Sequence, residues 1–348
     1  MNPYILATLL FGLGLGTTIT FASSHWLLAW MGLELNTLAI IPLMAQLHHP
    51  RAVEATTKYF LTQAAAAATL LFASITNAWL TGQWEIQQLS HPLPATMITL
   101  ALALKIGLAP LHAWLPEVLQ GLDLTTGLIL STWQKLAPFA LLLQIQPTNS
   151  TMLILLGLMS TLVGGWGGLN QTQLRKILAY SSIAHLGWMI LVLQFSPSLT
   201  LLALLTYIIM TSSTFLIFKL NKATNINTLA TSWTKSPALT SLTPLILLSL
   251  GGLPPLTGFM PKWLILQELT KQELAPAATL AALTALLSLY FYLRLSYAMT
   301  LTISPNNLTG TTPWRLPSSQ TTLPLAISTS LSICLLPLTP AMTSLLIT

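Results

Sequence analysis

Gly107-Leu108-Ala109-Pro110-Leu111-His112-Ala113-Trp114-Leu115-Pro116-Glu117 aligns without a gap on Gly252-Leu253-Pro254-Pro255-Leu256-Thr257-Gly258-Phe259-Met260-Pro261-Lys262, 145 residues downstream. Both read G-L-x-P-L-x-x-aromatic-x-P-charge. Each sits inside an apolar run too long for one plain membrane span. A proline in mid-helix removes a donor and strains the preceding turn. Each run is therefore expected to be two half-helices joined by a short break, near Pro110 and near Pro255. Such breaks survive in lipid where neighbouring helices satisfy the freed backbone groups.

The rest of the chain supplies the reason to think of lipid. Only 6% of the 348 residues are Asp, Glu, Lys or Arg, and 53% are hydrophobic. An ordinary soluble domain carries about a quarter charged residues. The mean hydropathy is +0.73. Thirteen basic and seven acidic side chains cannot wet a globule of this size, which excludes a soluble enzyme and a disordered chain. The net charge of +6 is scattered, with Arg175-Lys176 the one adjacent basic pair. Nucleic acid needs a clustered patch, so none is expected as a partner. The single cysteine, Cys334, can neither close an internal disulfide nor hold a zinc or iron–sulfur site. The start, Met1-Asn2-Pro3-Tyr4-Ile5, lacks a basic n-region, so the first helix is expected to be retained.

The sequence reads as an all-α polytopic membrane protein with about eleven transmembrane helices, each needing about 20 apolar residues. The segments are 3–22, 25–46, 56–80, 94–120, 125–145, 151–169, 174–194, 198–219, 238–269, 275–300 and 321–340. Links after segments two, eight and ten hold Arg51, Lys222, Lys235 and Arg315, and Arg175 and Lys176 border the link after segment six. Links after one, three, five and seven hold neither Lys nor Arg, and the link after nine has Lys271. By the positive-inside rule the N-terminus lies on the positive side and the C-terminus on the opposite one. The two breaks are five helices apart, an odd number, so the second unit is expected upside down. Inverted repeats over 1–145 and 146–300, followed by a link and a last helix over 301–348, form a transporter pattern with its site near the bilayer midplane.

Charged groups at a helix centre cost about 2.5 kcal/mol or more and are kept for ion paths or pairing. Four stand at depth: Glu34, Lys105, Lys135 and Lys262, with His112 and His185 in helices four and seven. Out of water a lysine favours its neutral form, and a nearby carboxylate favours the charged one. Moving one partner switches the charge, which is what a proton relay requires. Glu34 and Lys105 are the natural pair, with Lys135 next through water. His112 and His185 are possible further carriers. Three deep lysines against one deep acid are poorly explained by static pairing. Glu54 and Lys58, at i,i+4, read as a helix-surface pair. Glu117 and Asp123 read as interfacial.

Gly12-Leu13-Gly14-Leu15-Gly16 is not a dinucleotide fingerprint, because no strand precedes it and the spacing is wrong. It reads as a small-residue packing face, as do Gly164 and Gly168. Asn149-Ser150-Thr151 matches a glycosylation acceptor only weakly. The eleven tryptophans fit interfacial belts. No Walker A loop is present, so ATP does not drive the chain directly.

The chain resembles the antiporter-like membrane subunits of respiratory NADH dehydrogenase, complex I, and the related multi-subunit cation/proton antiporters. The stretches that carry the resemblance are Trp30–Leu35, Glu54–Phe60, Lys105–His112, Trp114–Glu117, Thr132–Lys135, Arg175–His185 and Gly251–Lys262. It covers nearly the whole chain and is weak past about residue 300. It implies a place in the proton-pumping arm of the mitochondrial inner membrane, with the positive side facing the matrix and the C-terminus facing the intermembrane space. The family's helix-two glutamate falls on Glu34, and its lysines fall on Lys105, Lys135 and Lys262. Longer relatives carry further N-terminal helices. The resemblance also implies that NADH, FMN, iron–sulfur and ubiquinone sites belong to partner subunits. This chain would then hold no cofactor and would live as an obligate hetero-oligomer with other membrane-arm and supernumerary subunits, bathed in membrane lipid. A self-standing cation/proton antiporter and a purely structural subunit are the competing readings.

Overall fold

The computed structural model describes residues 2–46, 49–89, 91–145, 150–234, 236–301 and 322–347. Asn149, Lys235, Arg315 and the link from Ser304 to Ser319 lie outside them. Among the described residues the structure is helical, without strands and with only two isolated bridges. The helices are α1 (Pro3–Ala22), α2 (Trp26–Met44), α3 (Pro50–Thr81), α4 (Pro92–Ile106), α5 (Trp114–Gly121), α6 (Leu124–Ser131), α7 (Trp133–Ile145) and α8 (Ser150–Gly168). They continue as α9 (Leu174–Val192), α10 (Pro197–Asn221), α11 (Ile226–Ala230), α12 (Pro237–Gly251), α13 (Phe259–Lys271), α14 (Ala275–Thr300), α15 (Leu323–Cys334) and α16 (Thr339–Ile347). All eleven apolar segments carry helix. By length and composition seven stretches among the described residues can cross a membrane, α6 with α7 counting as one, or eight if the pair α15–α16, bent by 69°, is one span.

Both expected breaks are present. α4 stops at Ile106 and α5 begins at Trp114, and α12 stops at Gly251 and α13 begins at Phe259. Either first half has 15 residues, or about 22 Å at 1.5 Å per residue, short of the roughly 30 Å hydrocarbon core. The two stops share one geometry. Gly107 and Gly252 are left-handed, with φ of +87° and +82°. The following amides, of Leu108 and Leu253, donate back to the carbonyls of Ala103 and Leu248 at 3.0 and 3.3 Å. This is the glycine-dependent way of satisfying the last carbonyls of a helix. Gly107→Ala and Gly252→Ala should each cost about 1–2 kcal/mol, the penalty of a Cβ in that conformation. Thermal unfolding of the purified assembly should report it as a lowered Tm.

Three boundaries differ from the sequence reading. α3 begins six residues earlier, at Pro50, and runs for 32 residues. At about 48 Å it outreaches the hydrocarbon core, so its first turns can carry charge. Segment five is not one uninterrupted helix but α6 and α7, parted at Thr132. There the hydroxyls of Ser131 and Thr132 both donate to the Leu128 carbonyl, at 3.0 and 2.7 Å, competing with the backbone ladder. Lys135 is therefore in the first turn of α7, beside this interruption and still midway along the Leu124–Ile145 span. The last segment bends where Pro337 interrupts it.

The chain divides into two compact units, Met1–Met159 and Ser160–Thr348. In the first, α1 and α2 approach through glycine. A Cβ on Gly16 would lie 2.8 Å from the Gly32 carbonyl, and one on Gly32 would lie 2.6 Å from Thr20 Cγ2. Small residues that let helix backbones approach are how membrane helices associate. In the second unit, Gly164 lies against the Ala184 backbone and Gly168 against the Phe291 ring. At the start of α3, Lys58 reaches Glu54 at 2.8 Å, as expected, and also Glu117 of α5 at 2.7 Å. Glu117 is thus tied to α3, a contact that the sequence reading had left as interfacial placement. All three side chains are well exposed, so the cluster steers more than it stabilises.

Candidate functional site

In the first unit the geometry grows from the stop of α4. Lys105 occupies the last turn of that half-helix, where the exposed carbonyls carry about half a negative charge. Its neighbours are anchored by side chains. The Trp114 indole donates to the Leu104 carbonyl at 3.1 Å, and Gln63 Nε2 donates to the Lys105 carbonyl at 3.4 Å. The lysine is 6% exposed, and its Nζ has no hydrogen-bond partner among the described residues. Lys135, 4% exposed, is held by its own surroundings. Both lysines line one cavity of about 20 Å³, with Asn36, Thr37, Gln63 and Gln134 on the same wall. A space of that size with several polar partners holds about one water.

Glu34 is not on that wall, although Leu33, Asn36 and Thr37 of the same helix are. The direct Glu34–Lys105 ion pair expected from sequence is not formed. Among the described residues the ion pairs within 4 Å are Lys58 with Glu54 and Glu117, and Lys271 with Glu268. The Glu34 carboxylate instead accepts a 2.8 Å hydrogen bond from the Thr37 hydroxyl. Sequence complementarity fixes the sign of two charges and leaves their separation open. The polar residues that line the cavity were not singled out in the sequence. Their signal was polarity inside apolar segments: Thr37 three residues after Glu34, and Gln134 beside Lys135. His112 lies in the break itself, half-buried, with Nδ1 3.3 Å from the Pro110 carbonyl, and is not on the cavity wall.

The second unit reaches the same end by another route. Lys262, in the first turn of α13, folds back across the break. Its Nζ donates to the Gly251 carbonyl at 2.7 Å. A Cβ on Gly252 would lie 2.9 Å from Lys262 Cδ, so the bare glycine makes room for the side chain. Lys262 thus meets the negative end of α12 directly, whereas Lys105 sits in the last turn of α4 with its Nζ unpartnered. A cavity of about 10 Å³ joins Lys262 to His185, with Thr206, Met210 and Gly258 on its wall. The His185 ring packs 5.7 Å from the Tyr207 ring. Each unit therefore places two of the six sequence-chosen groups on one small cavity: Lys105 with Lys135, and His185 with Lys262. Charges held at half-helix ends beside an irregular backbone are the way membrane transporters build ion sites.

Comparison with known proteins extends these observations. The family described as NADH:quinone oxidoreductase/Mrp antiporter, transmembrane region, matches residues 23–288. A second family, NADH dehydrogenase subunit 2 C-terminus, matches residues 289–343, so the resemblance continues past residue 300, where the sequence reading found it weak. NADH-ubiquinone oxidoreductase chain 2 of Tetraodon nigroviridis is 79% identical over 99% of both chains. That of Salmo salar is 76% identical, again over 99% of both. Among solved structures, a chain of respiratory complex I from Thermus thermophilus superposes with a TM-score of 0.87 at 28% identity, over 99% of this chain and 80% of that one. A chain of the Mrp complex from Dietzia shares the fold, with a TM-score of 0.79 at 17% identity, over 97% of this chain and 74% of that one. The chain belongs to the NADH:quinone oxidoreductase/Mrp antiporter family of membrane proteins.

Proposed function

We propose that this chain is a proton-translocating, antiporter-like subunit of the membrane arm of respiratory NADH:ubiquinone oxidoreductase, complex I. The observation that carries this reading is the pair Lys105 and Lys135 on one water-sized polar cavity of a lipid-embedded unit. Relatives 79% and 76% identical over 99% of both chains bear the name of that enzyme's chain 2. Other subunits of the complex are its obligate partners, and they carry the NADH, FMN, iron–sulfur and ubiquinone chemistry. The inner mitochondrial membrane is its place. Basic residues at Arg51, Arg175, Lys176 and Lys222 then put the N-terminus on the matrix side. The aligned glycine-proline breaks support inverted repeats over 1–145 and 146–300.

Protons move because each lysine can be charged or neutral, and because a buried charge is tolerated only beside something negative. Lys105 stands in the last turn of α4 and shares its cavity with Lys135. A proton arriving through the cavity changes which lysine carries the charge. In the second unit Lys262 and His185 share a cavity, with the Gly251 carbonyl as the lysine's acceptor. Lys105→Met and Lys135→Met keep most of the side-chain length and remove the switchable charge. In the assembled complex each should lower proton translocation and redox turnover at least tenfold, at near-normal assembly. The double variant should be little worse than either, because both interrupt one series path. Full turnover and proton yield in an assembled Lys135→Met complex would sink the relay.

A further inference from the structure

The relay just proposed has a gap: Glu34 and Lys105 do not touch, and Glu34 is absent from the wall of the cavity that Lys105 lines. What bridges the gap is on α2 itself. The Thr37 hydroxyl is 2.8 Å from Glu34 Oε2 and 2.9 Å from the Glu34 backbone carbonyl, and Thr37 also lines the cavity. Beside it Asn36, 2% exposed, lines the same cavity with neither amide atom hydrogen-bonded. An amide buried with both polar atoms unpartnered is rare, because it forfeits the full desolvation cost of each. Lys105, whose Nζ is likewise unpartnered, lines the same cavity.

We infer that Thr37 is the proton carrier between Glu34 and the cavity, and that Asn36 positions the single water through which the proton reaches Lys105. The inference rests on the relay reading. The backbone carbonyl of Glu34 can only accept, and the Thr37 hydroxyl has one proton. When Glu34 is ionised, that proton is donated to Oε2. When Glu34 is protonated, Oε2–H donates to Thr37 Oγ1, and the threonine proton turns elsewhere. In transfer the Oε2–H bond breaks and a new O–H bond forms on Thr37. Thr37 gives up its original proton to the cavity water, and the water gives one of its own to the neutral amine of Lys105. The net change is carboxylic acid plus amine to carboxylate plus ammonium, and the hydroxyl and water are regenerated. Asn36 passes no proton. Its amide fixes the water, so it is a positioning residue.

The test uses the assembled complex in vesicles, with turnover and proton translocation normalised to the amount of complex. Thr37→Val, which keeps the shape without the hydroxyl, should lower both at least tenfold. Thr37→Ser should restore them to within twofold of the original, which a purely steric role for the branched methyl would not allow. Asn36→Leu should lower turnover several-fold, with an enlarged solvent isotope effect from a poorly placed water. Full turnover in Thr37→Val overturns the inference. If that variant does not accumulate, Thr37→Ala takes its place, and failure of both to accumulate marks the hydroxyl as structural and overturns the inference equally. Lys105→Met separates the two levels. An inactive Lys105→Met complex beside a fully active Thr37→Val complex refutes this bridge alone, whereas a fully active Lys105→Met complex refutes the relay.

Discussion

Gly258→Ala should leave almost no assembled protein. A Cβ built on Gly258 would run into the carbonyl oxygen of Ser249, a backbone atom in the last turn of α12. A flexible side chain could swing away, but this oxygen can move only if the half-helix moves. The residue before Gly258 is fixed as well, since the Thr257 hydroxyl donates to the Ser332 carbonyl of α15 at 2.5 Å. Overpacking a well-filled site costs about 1–3 kcal/mol and occasionally more. With the Ser249 backbone as the obstacle the cost should reach the top of that range, a large part of the marginal stability of a folded domain. Quantifying the intact complex on native gels would check this. Accumulation of the alanine variant at more than half the normal level would show that the break relaxes freely.

Lys262→Met and Lys262→Arg should both stop turnover, and the pair separates carrier from strut. Methionine removes the 2.7 Å bond to the Gly251 carbonyl and the charge with it. Arginine keeps a permanent positive charge but cannot release its proton. A lysine needed only to neutralise the α12 terminus would be replaced by arginine with activity retained. A lysine that must lose and regain a proton would not. Both variants are therefore expected to lower proton translocation per assembled complex at least tenfold. The arginine variant must be scored for assembly first, because its fork has to fit a cavity of about 10 Å³ beside Gly252.

The two breaks were legible in the sequence because glycine and proline act on the backbone directly. Only glycine sits easily at the φ of +87° and +82° that ends α4 and α12. Pro337 and Pro340 offered the same kind of signal for the bend before α16, yet the segment reads as one apolar run. The stop at Thr132 carried no such mark, because two hydroxyls that meet at the Leu128 carbonyl look like ordinary helix residues in one dimension. The site followed the same rule. Lys105, Lys135 and Lys262 were conspicuous because charge is costly in lipid. Thr37 and Asn36 cost far less on the page, and their roles emerge only from what they face. The expected Glu34–Lys105 contact failed on distance, which sequence does not encode.

The hydrogen bond from Lys262 to the Gly251 carbonyl has an electrical consequence. A peptide oxygen never ionises, so this acceptor stays constant throughout a catalytic cycle. In the relay proposed above Lys105 works with the Glu34 carboxylate, and a proton passed between the two leaves their summed charge unchanged. Lys262 has no such counterweight in its hydrogen bond. Each protonation there alters the net charge of its surroundings by a whole unit, and the occupancy of the site must answer to fields that originate elsewhere. In the relay proposed above, a fixed reference electrode with one movable charge beside it would be the arrangement of a sensor, and the second unit would then answer to fields that originate outside it.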